Sequence, residues 1–281
     1  MRLFKSASDI NQFLLKKKYN RVSIGFIPTM GALHQGHISL LETAKKNCDI
    51  TVCSIFVNPT QFNDKNDFDK YPITIESDVD KLEKAGCDIL FLPSASEIYP
   101  EFDLVNDTYN LGYLETVLEG KYRPGHFQGV CQVVYRLLKI IPANFLFLGQ
   151  KDFQQCMVIK KMLELTKIDT IINICPTLRE KDGLALSSRN VRLTSDERKN
   201  AIEIFKALSY IKNNIAPGNL SDLKKKTFNR LIEKGFKPDY VEIASADSLT
   251  IINDWDGKTK LVALIAAFTG SVRLIDNMLL Q

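Results

Sequence analysis

Val22-Ser23-Ile24-Gly25-Phe26-Ile27-Pro28-Thr29-Met30-Gly31-Ala32-Leu33-His34-Gln35-Gly36-His37 begins as a compact apolar run and turns abruptly into a polar, glycine-bearing segment. The run 22–27 suits a strand buried on both faces of a parallel sheet. Residues 28–37 follow it directly, and the apolar spacing beyond them predicts a helix near 37–47. Strand, glycine loop and helix make the first half of a βαβ unit. The alternation continues down the chain. Runs rich in β-branched and aromatic residues at 50–57, 89–92, 145–148 and 171–174 read as further strands, with helical stretches near 75–86, 127–141 and 152–167. Repeated strand and helix mean a doubly wound, parallel-sheet, Rossmann-like α/β domain.

The character changes after Pro176. Thr194 and Glu197 form a capping-box pair, opening a helix expected to run to about Asn213. Pro217-Gly218 breaks it, and a second, basic helix reaches Gly235. Three strand-like runs follow at 240–243, 261–265 and 272–275, with a turn signal at Asp256-Gly257 before the second. Helices followed by strands describe a smaller α+β domain. The expected division is therefore 1–176 and 177–281, and a length of 281 residues accommodates two modest domains.

Composition narrows the function classes. Hydrophobic residues at 45% and charged residues at 25% exclude disordered, collagen-like and disulfide-scaffold chains. The net charge of +4 is too mild and too dispersed for a dedicated nucleic-acid binder. Lys16-Lys17-Lys18 and Lys224-Lys225-Lys226 read as solvated helix faces. Six cysteines without a C-x-x-C pair, no leader-like start and no bilayer-length apolar run point to a reduced, cytoplasmic protein without a membrane partner.

The chemistry concentrates in three clusters. Standard nucleotide motifs, G-x-x-x-x-G-K-S/T and G-x-G-x-x-G, are absent. In their place, His34 and His37 stand three apart at an expected helix start, with Gly31 and Gly36 allowing close approach of a ligand. Unpaired N–H groups and the helix dipole there would favour an anion such as phosphate. The alternatives are two surface histidines or a metal site. Zinc would want further ligands, and the remaining histidine is His126, so no protein metal site is expected. The second cluster is Gly149-Gln150-Lys151-Asp152, after the 145–148 strand, where Lys151 could hold phosphate and Asp152 a ribose hydroxyl; Asp152 could equally be a helix cap. The third runs from Thr177 to Asn190. Its Ser187-Ser188-Arg189 is a compact donor group for phosphate oxygens, or part of a polar linker. Asn58 and Gln61 add polar groups beyond the second strand, at the sheet edge where open α/β folds bind ligands.

Five blocks, in order, resemble the pantothenate synthetases: residues 28–37 (PTMGALHQGH), 56–62 (FVNPTQF), 122–130 (YRPGHFQGV), 149–155 (GQKDFQQ) and 179–190 (REKDGLALSSRN). The match runs from about residue 20 to 195. His34 and His37 look like the HIGH-type motif of the class I synthetase and nucleotidylyltransferase superfamily, and Leu186 to Arg189 look like its KMSKS-type loop. The sequence departs at Gln35, where Glu is common, at Ile73 in place of Arg, and at Leu178 and Leu186 in place of Val and Met.

The resemblance implies a ligase that joins (R)-pantoate to β-alanine through pantoyl adenylate, with ATP as substrate and Mg²⁺ on its phosphates. It implies an ATP site of Met30, Gly31, Ala32, Leu33, His34, Gln35, Gly36, His37, Gly149, Gln150, Lys151, Asp152, Leu178, Leu186, Ser187, Ser188 and Arg189. His34, His37, Lys151, Ser187, Ser188 and Arg189 would be catalytic, with His37 as a donor to the transition state that could be protonated. Gln61 would bind pantoate and lie near β-alanine, and Gln155 would bind pantoate. Ile73 receives no ligand role. A homodimer, and a C-terminal domain closing over the site, are implied as well. The alternative is another HIGH-motif nucleotidylyltransferase acting on a different small acid.

Overall fold

The computed structural model describes residues 1–62, 68–100 and 108–280. They form two compact units, Met1–Gly149 with Gln155–Pro176, and Gln150–Gln154 with the chain from Thr177 onward.

The first unit holds β1 (Arg2–Phe4), β2 (Ile24–Thr29), β3 (Ile50–Ile55), β4 (Ile89–Phe91), β5 (Phe145–Gly149) and β6 (Ile171–Cys175). They make one sheet in the order β1-β4-β3-β2-β5-β6, every pairing parallel. Alternate residues feed two apolar layers. Phe26, Val52, Ile89 and Leu146 enter one cluster with the helices Ala7–Tyr19, His126–Ile140 and Phe153–Thr166. Their neighbours Ile27, Cys53, Leu90 and Phe147 enter the other, against the helices Gln35–Asn47 and Ile75–Lys84. Burial on both faces is why these strands read as unbroken apolar runs. Four of the six strands follow that expectation, and β6 is an apolar run as expected but lies at the sheet edge with Ile171 and Ile174 exposed. The remaining strand, β1, lies where the sequence suggests only a charged amphipathic start. Three residues with two exposed side chains give no periodic signal, and β1 is defined by its register on β4, Arg2↔Ile89 to Phe4↔Phe91.

Chain order reverses between β2 and β5, neighbours in the sheet. Their carboxyl ends lead directly into residues 30–37 and 150–152. Crevices beyond strand ends at such reversals are where open α/β sheets take ligands.

The second unit opens with the expected capping box, Thr194 and Glu197 each hydrogen-bonded to the other's backbone. The helix comes in two pieces, Ser195–Asn200 and Ile202–Asn214, separated at Ala201. After β7 (Gly218–Asn219) come the Ser221–Glu233 helix, β8 (Lys237–Ser245), β9 (Asp254–Trp255), β10 (Leu261–Thr269) and β11 (Val272–Leu279). The long strands form an antiparallel sheet in the order β11-β10-β8, whose apolar face packs Ile243, Ala263, Ile265 and Leu274 against Ile204, Leu208 and Leu231.

Candidate active site

His34 caps the Gln35–Asn47 helix and His37 is its third residue, so the two rings face each other with centroids 4.1 Å apart. His34 Nδ1 accepts from the Gly36 N–H at 3.1 Å, and His37 Nδ1 accepts from the His34 N–H at 3.2 Å. An imidazole nitrogen that accepts an N–H carries no proton, which places the ring proton on Nε2 in both residues. The paired histidines are thereby oriented Nε2–H donors. A second proton on either Nδ1 would put two donors against each other and break the cap.

The expected row of unpaired N–H groups is corrected by this geometry. Gly31 donates to Thr29 Oγ1 at 3.2 Å, and Ala32 and Leu33 donate to the Asp78 carboxylate at 2.8 Å each. Asp78 is fully buried, accepts also from Thr74 Oγ1, and has Lys81 at 3.8 Å. No short-range pattern marks it, because it acts on a loop some 45 residues earlier. Leu33, expected to line the ATP site, is committed to the fold. Its side chain is in the core, its N–H is on Asp78, and its carbonyl accepts from Lys81 Nζ at 2.7 Å. Gly31 (φ +82°) and Ala32 (φ +48°) both have left-handed backbone, a strained state for the alanine. Gln35 is exposed, and Met30, His34, Gly36 and His37 are half-buried.

Gln61 closes the short helical turn Pro59–Gln61, and its side-chain amide touches Met30 Sδ. The fold thus brings Gln61 to the histidine loop. Asn58, three residues earlier, is buried, and both of its side-chain polar atoms are hydrogen-bonded. Its Nδ2 donates to the Gly129 carbonyl at 3.1 Å, and its Oδ1 accepts from Thr60 and from Tyr99 Oη at 3.0 Å. It builds the turn. His126 Nδ1 lies 2.7 Å from the Gln61 carbonyl, and Gly129 packs directly on Thr60 and Gln61. The 122–130 block is therefore the support of the Gln61 turn. Gln155 is half-buried in the first turn of the Phe153–Thr166 helix. At Gly149, an added Cβ would meet nothing within 4 Å, so neither packing nor φ demands glycine there.

In the second unit, Gln150–Asp152 form a single helical turn, with Lys151 Nζ 3.6 Å from the Asp152 carboxylate. Asn277 of β11 holds this turn. Its Nδ2 donates to the Gln150 and Lys151 carbonyls at 2.8 and 2.9 Å, and its Oδ1 accepts from Gln150 Nε2 at 3.2 Å. Beside it, buried Asp276 meets Arg179 in a forked pair at 2.6 and 3.0 Å. Burial pushes the Asp276 carboxyl above the usual carboxylate range, against the opposing pull of Arg179 and of Lys151. Sequence reasoning missed both residues, since nothing in a β-strand pattern distinguishes a buried Asn from one facing solvent.

Leu178 and Leu186 pair across a hairpin, Leu186 N–H to the Leu178 carbonyl at 3.1 Å, which turns at residues 180–183. Gly183 takes φ +99°, and a Cβ there would strike Phe205. Arg198 clamps the turn through Glu180 at 2.6 Å and Asp182 at 2.8 Å, and this guanidinium holds the Asp182 carboxyl below its ordinary range. Ser187 caps the short helix Ser188–Arg192, its Oγ accepting from the Arg189 N–H. Asn190 Oδ1 and Thr177 Oγ1 are buried and carry no hydrogen bond. Among the described residues, no group of three or more His, Cys, Asp and Glu could hold a metal ion, and no helix is long and apolar enough to cross a membrane. A cavity of about 600 Å³ beside β6, lined by Lys160, Glu164, Lys167 and Ile172 among others, contains none of the candidate residues.

Comparison with known proteins gives a concordant result. The family model described as pantoate-beta-alanine ligase matches residues 2–279. The pantothenate synthetase of Azobacteroides pseudotrichonymphae is 44% identical over 280 residues, covering 99% of each chain. That of Porphyromonas gingivalis is 43% identical over the same span and coverage. The crystal structure of pantothenate synthetase from Thermus thermophilus superposes with a TM-score of 0.90 at 34% identity, covering 100% of this chain and 99% of that one. The ligase from Francisella tularensis, solved with beta-gamma ATP and beta-alanine, gives 0.84 at 37% identity, with 100% and 98% covered. The chain belongs to the pantoate-beta-alanine ligase family.

Proposed function

We propose that this protein condenses (R)-pantoate with β-alanine at the expense of ATP, giving pantothenate, AMP and pyrophosphate. A pantoate carboxylate oxygen attacks the α-phosphorus of ATP, forming pantoyl adenylate as the bond to pyrophosphate breaks. The β-alanine amine then attacks the activated carbonyl, loses its proton, and AMP departs. Neither step needs a protein nucleophile, so the work falls to positioning and to donors aimed at developing charge.

The observation that carries this reading is the histidine pair, whose caps consume both Nδ1 atoms and orient both Nε2–H donors. His34, His37, Lys151, Ser187, Ser188 and Arg189 are assigned to phosphate charge. Met30 to Gly36, Gly149 to Asp152, and the Leu178 and Leu186 region are assigned to ATP, Leu33 by holding the loop. Gln61 and Gln155 are assigned to pantoate, whose hydroxyls and carboxylate call for both donor and acceptor. The two proposed domains are residues 1–176 and 177–281, with Gln150–Gln154 grouped with the second. Mg²⁺ enters as the ion carried on ATP. It keeps phosphate and water ligands and needs few from protein. A cytoplasmic homodimer completes the proposal. Edge strand β6, with Ile171 and Ile174 exposed, is an apolar edge suited to pairing.

The test is pyrophosphate release from ATP with pantoate present and β-alanine first withheld, then added. Pantoate-dependent release that becomes multiple turnover of AMP on adding β-alanine is expected. Tight ATP binding without pantoate dependence would instead indicate a nucleotidylyltransferase for another acid.

A further inference from the structure

Asp276 and Asn277 are buried near the end of β11, where two apolar residues would satisfy a core strand at lower desolvation cost. Their hydrogen bonds run in one chain. Asn277 fixes the Gln150 and Lys151 carbonyls and the Gln150 side chain. Its own N–H is held at 2.8 Å by Asp276 Oδ1, and its carbonyl accepts from Arg179 Nη2 at 3.1 Å. Arg179 also takes Asp276 in a fork and reaches the Gly183 carbonyl at 3.1 Å. The far end of this network is the hairpin whose return strand passes through Ala185 and Leu186 into Ser187.

We propose that Asn277 and the Arg179–Asp276 pair are positioning residues for the adenylation step. Asn277 sets the main chain from which Lys151 reaches, and Arg179 ties the same strand to the hairpin that carries Ser187 to Arg189. The inference rests on the ligase reading above. A side-chain amide suits the first task because one planar group can give two N–H bonds to successive carbonyls while accepting a third. A forked guanidinium suits the second because it bonds carboxylate and carbonyls in fixed directions.

A double-mutant cycle on the full chain tests this. Lys151→Ala should slow pantoate-dependent pyrophosphate release by about 10²–10³-fold, as for loss of one transition-state donor. Asn277→Ala should slow it by about 10- to 100-fold with the pantoate KM within about twofold, the split expected when only the transition state loses an interaction. On the Lys151→Ala background, Asn277→Ala should cost less than about twofold, because the group it places is gone. Multiplying penalties, a loss carried by the pantoate KM, or a Lys151→Ala enzyme of normal rate would each overturn the positioning role while leaving the ligase reading intact. Wild-type protein without pantoate-dependent release would overturn that reading, and the inference with it. Thermal unfolding checks each variant. Should Asn277→Ala not fold, Asn277→Ser, a smaller cut, enters the same cycle with the same non-multiplying expectation.

Discussion

His37 holds the helix cap with one nitrogen and is proposed to act on substrate with the other, and substitution can separate the two. Its Nδ1 closes the helix cap, while Nε2 is the proposed catalytic donor. Asparagine places an oxygen near the Nδ1 position and nothing at Nε2. His37→Asn should therefore keep the thermal stability of the wild type, whereas His37→Ala should lose about 1 kcal/mol with the cap. Both should lower kcat by about 10²–10³-fold, measured with saturating substrates. A His37→Asn enzyme with near-normal turnover would remove the donor role. Gly149 offers a second residue-scale test, because its missing Cβ faces open space. Gly149→Ala should change stability by no more than about 0.5 kcal/mol. It should nevertheless raise the ATP KM about tenfold, equivalent to ~1.4 kcal/mol. At this scale the sequence makes legible the motifs proposed to carry chemistry and is silent about the residues that hold them. His34, His37 and Lys151 stand in legible motifs. Asp78 and Asn277 act across the fold and carry no local signature.

Elements show the same division between visible pattern and invisible contact. The His126–Ile140 helix is plain from its apolar spacing, yet its reason for beginning with histidine and glycine appears only in three dimensions. Gly129 lies so near the Thr60 carbonyl that a Cβ could not be inserted without moving the Pro59–Gln61 turn. Gly129→Ala should cost about 1–3 kcal/mol in a urea titration, the usual penalty of overpacking. It should also raise the pantoate KM several-fold through Gln61, with the ATP KM unchanged. An unchanged pantoate KM would separate Gln61 from pantoate. The parallel sheet was readable because both faces are apolar and the alternation repeats. β1 was not, since a three-residue edge strand is specified by its neighbour's register rather than by its own composition.

Across the whole molecule, the cysteines set an alkaline limit. All six are free, and five are buried. Burial pushes the thiols of Cys48 and Cys87 up to about 11 and that of Cys131 to about 12, from an ordinary value of 9.0. The sign follows from proton binding: above pH 9.0 an unfolded chain releases these protons while the native state keeps them. Their contribution is thus complete below pH 9.0 and is lost progressively as pH rises through 11 and 12. The urea midpoint should fall steadily over that interval. A Cys48→Ala, Cys87→Ala, Cys131→Ala protein should show a shallower fall, and an equal slope would show that other groups dominate.

The chain crosses from the first unit to the second at Gln150, returns at Gln155 and crosses again at Thr177. Three covalent crossings make the units inseparable by a single cut. A gene divided after codon 176 would give an upstream fragment whose Gln150 and Lys151 carbonyls have lost Asn277, and a downstream fragment holding an asparagine with nothing to brace. For recombination, the C-terminal unit is therefore not an exchangeable cassette. Chimeras joined at that point should tolerate a foreign C-terminal segment only when its strand presents an amide to the same five-residue excursion.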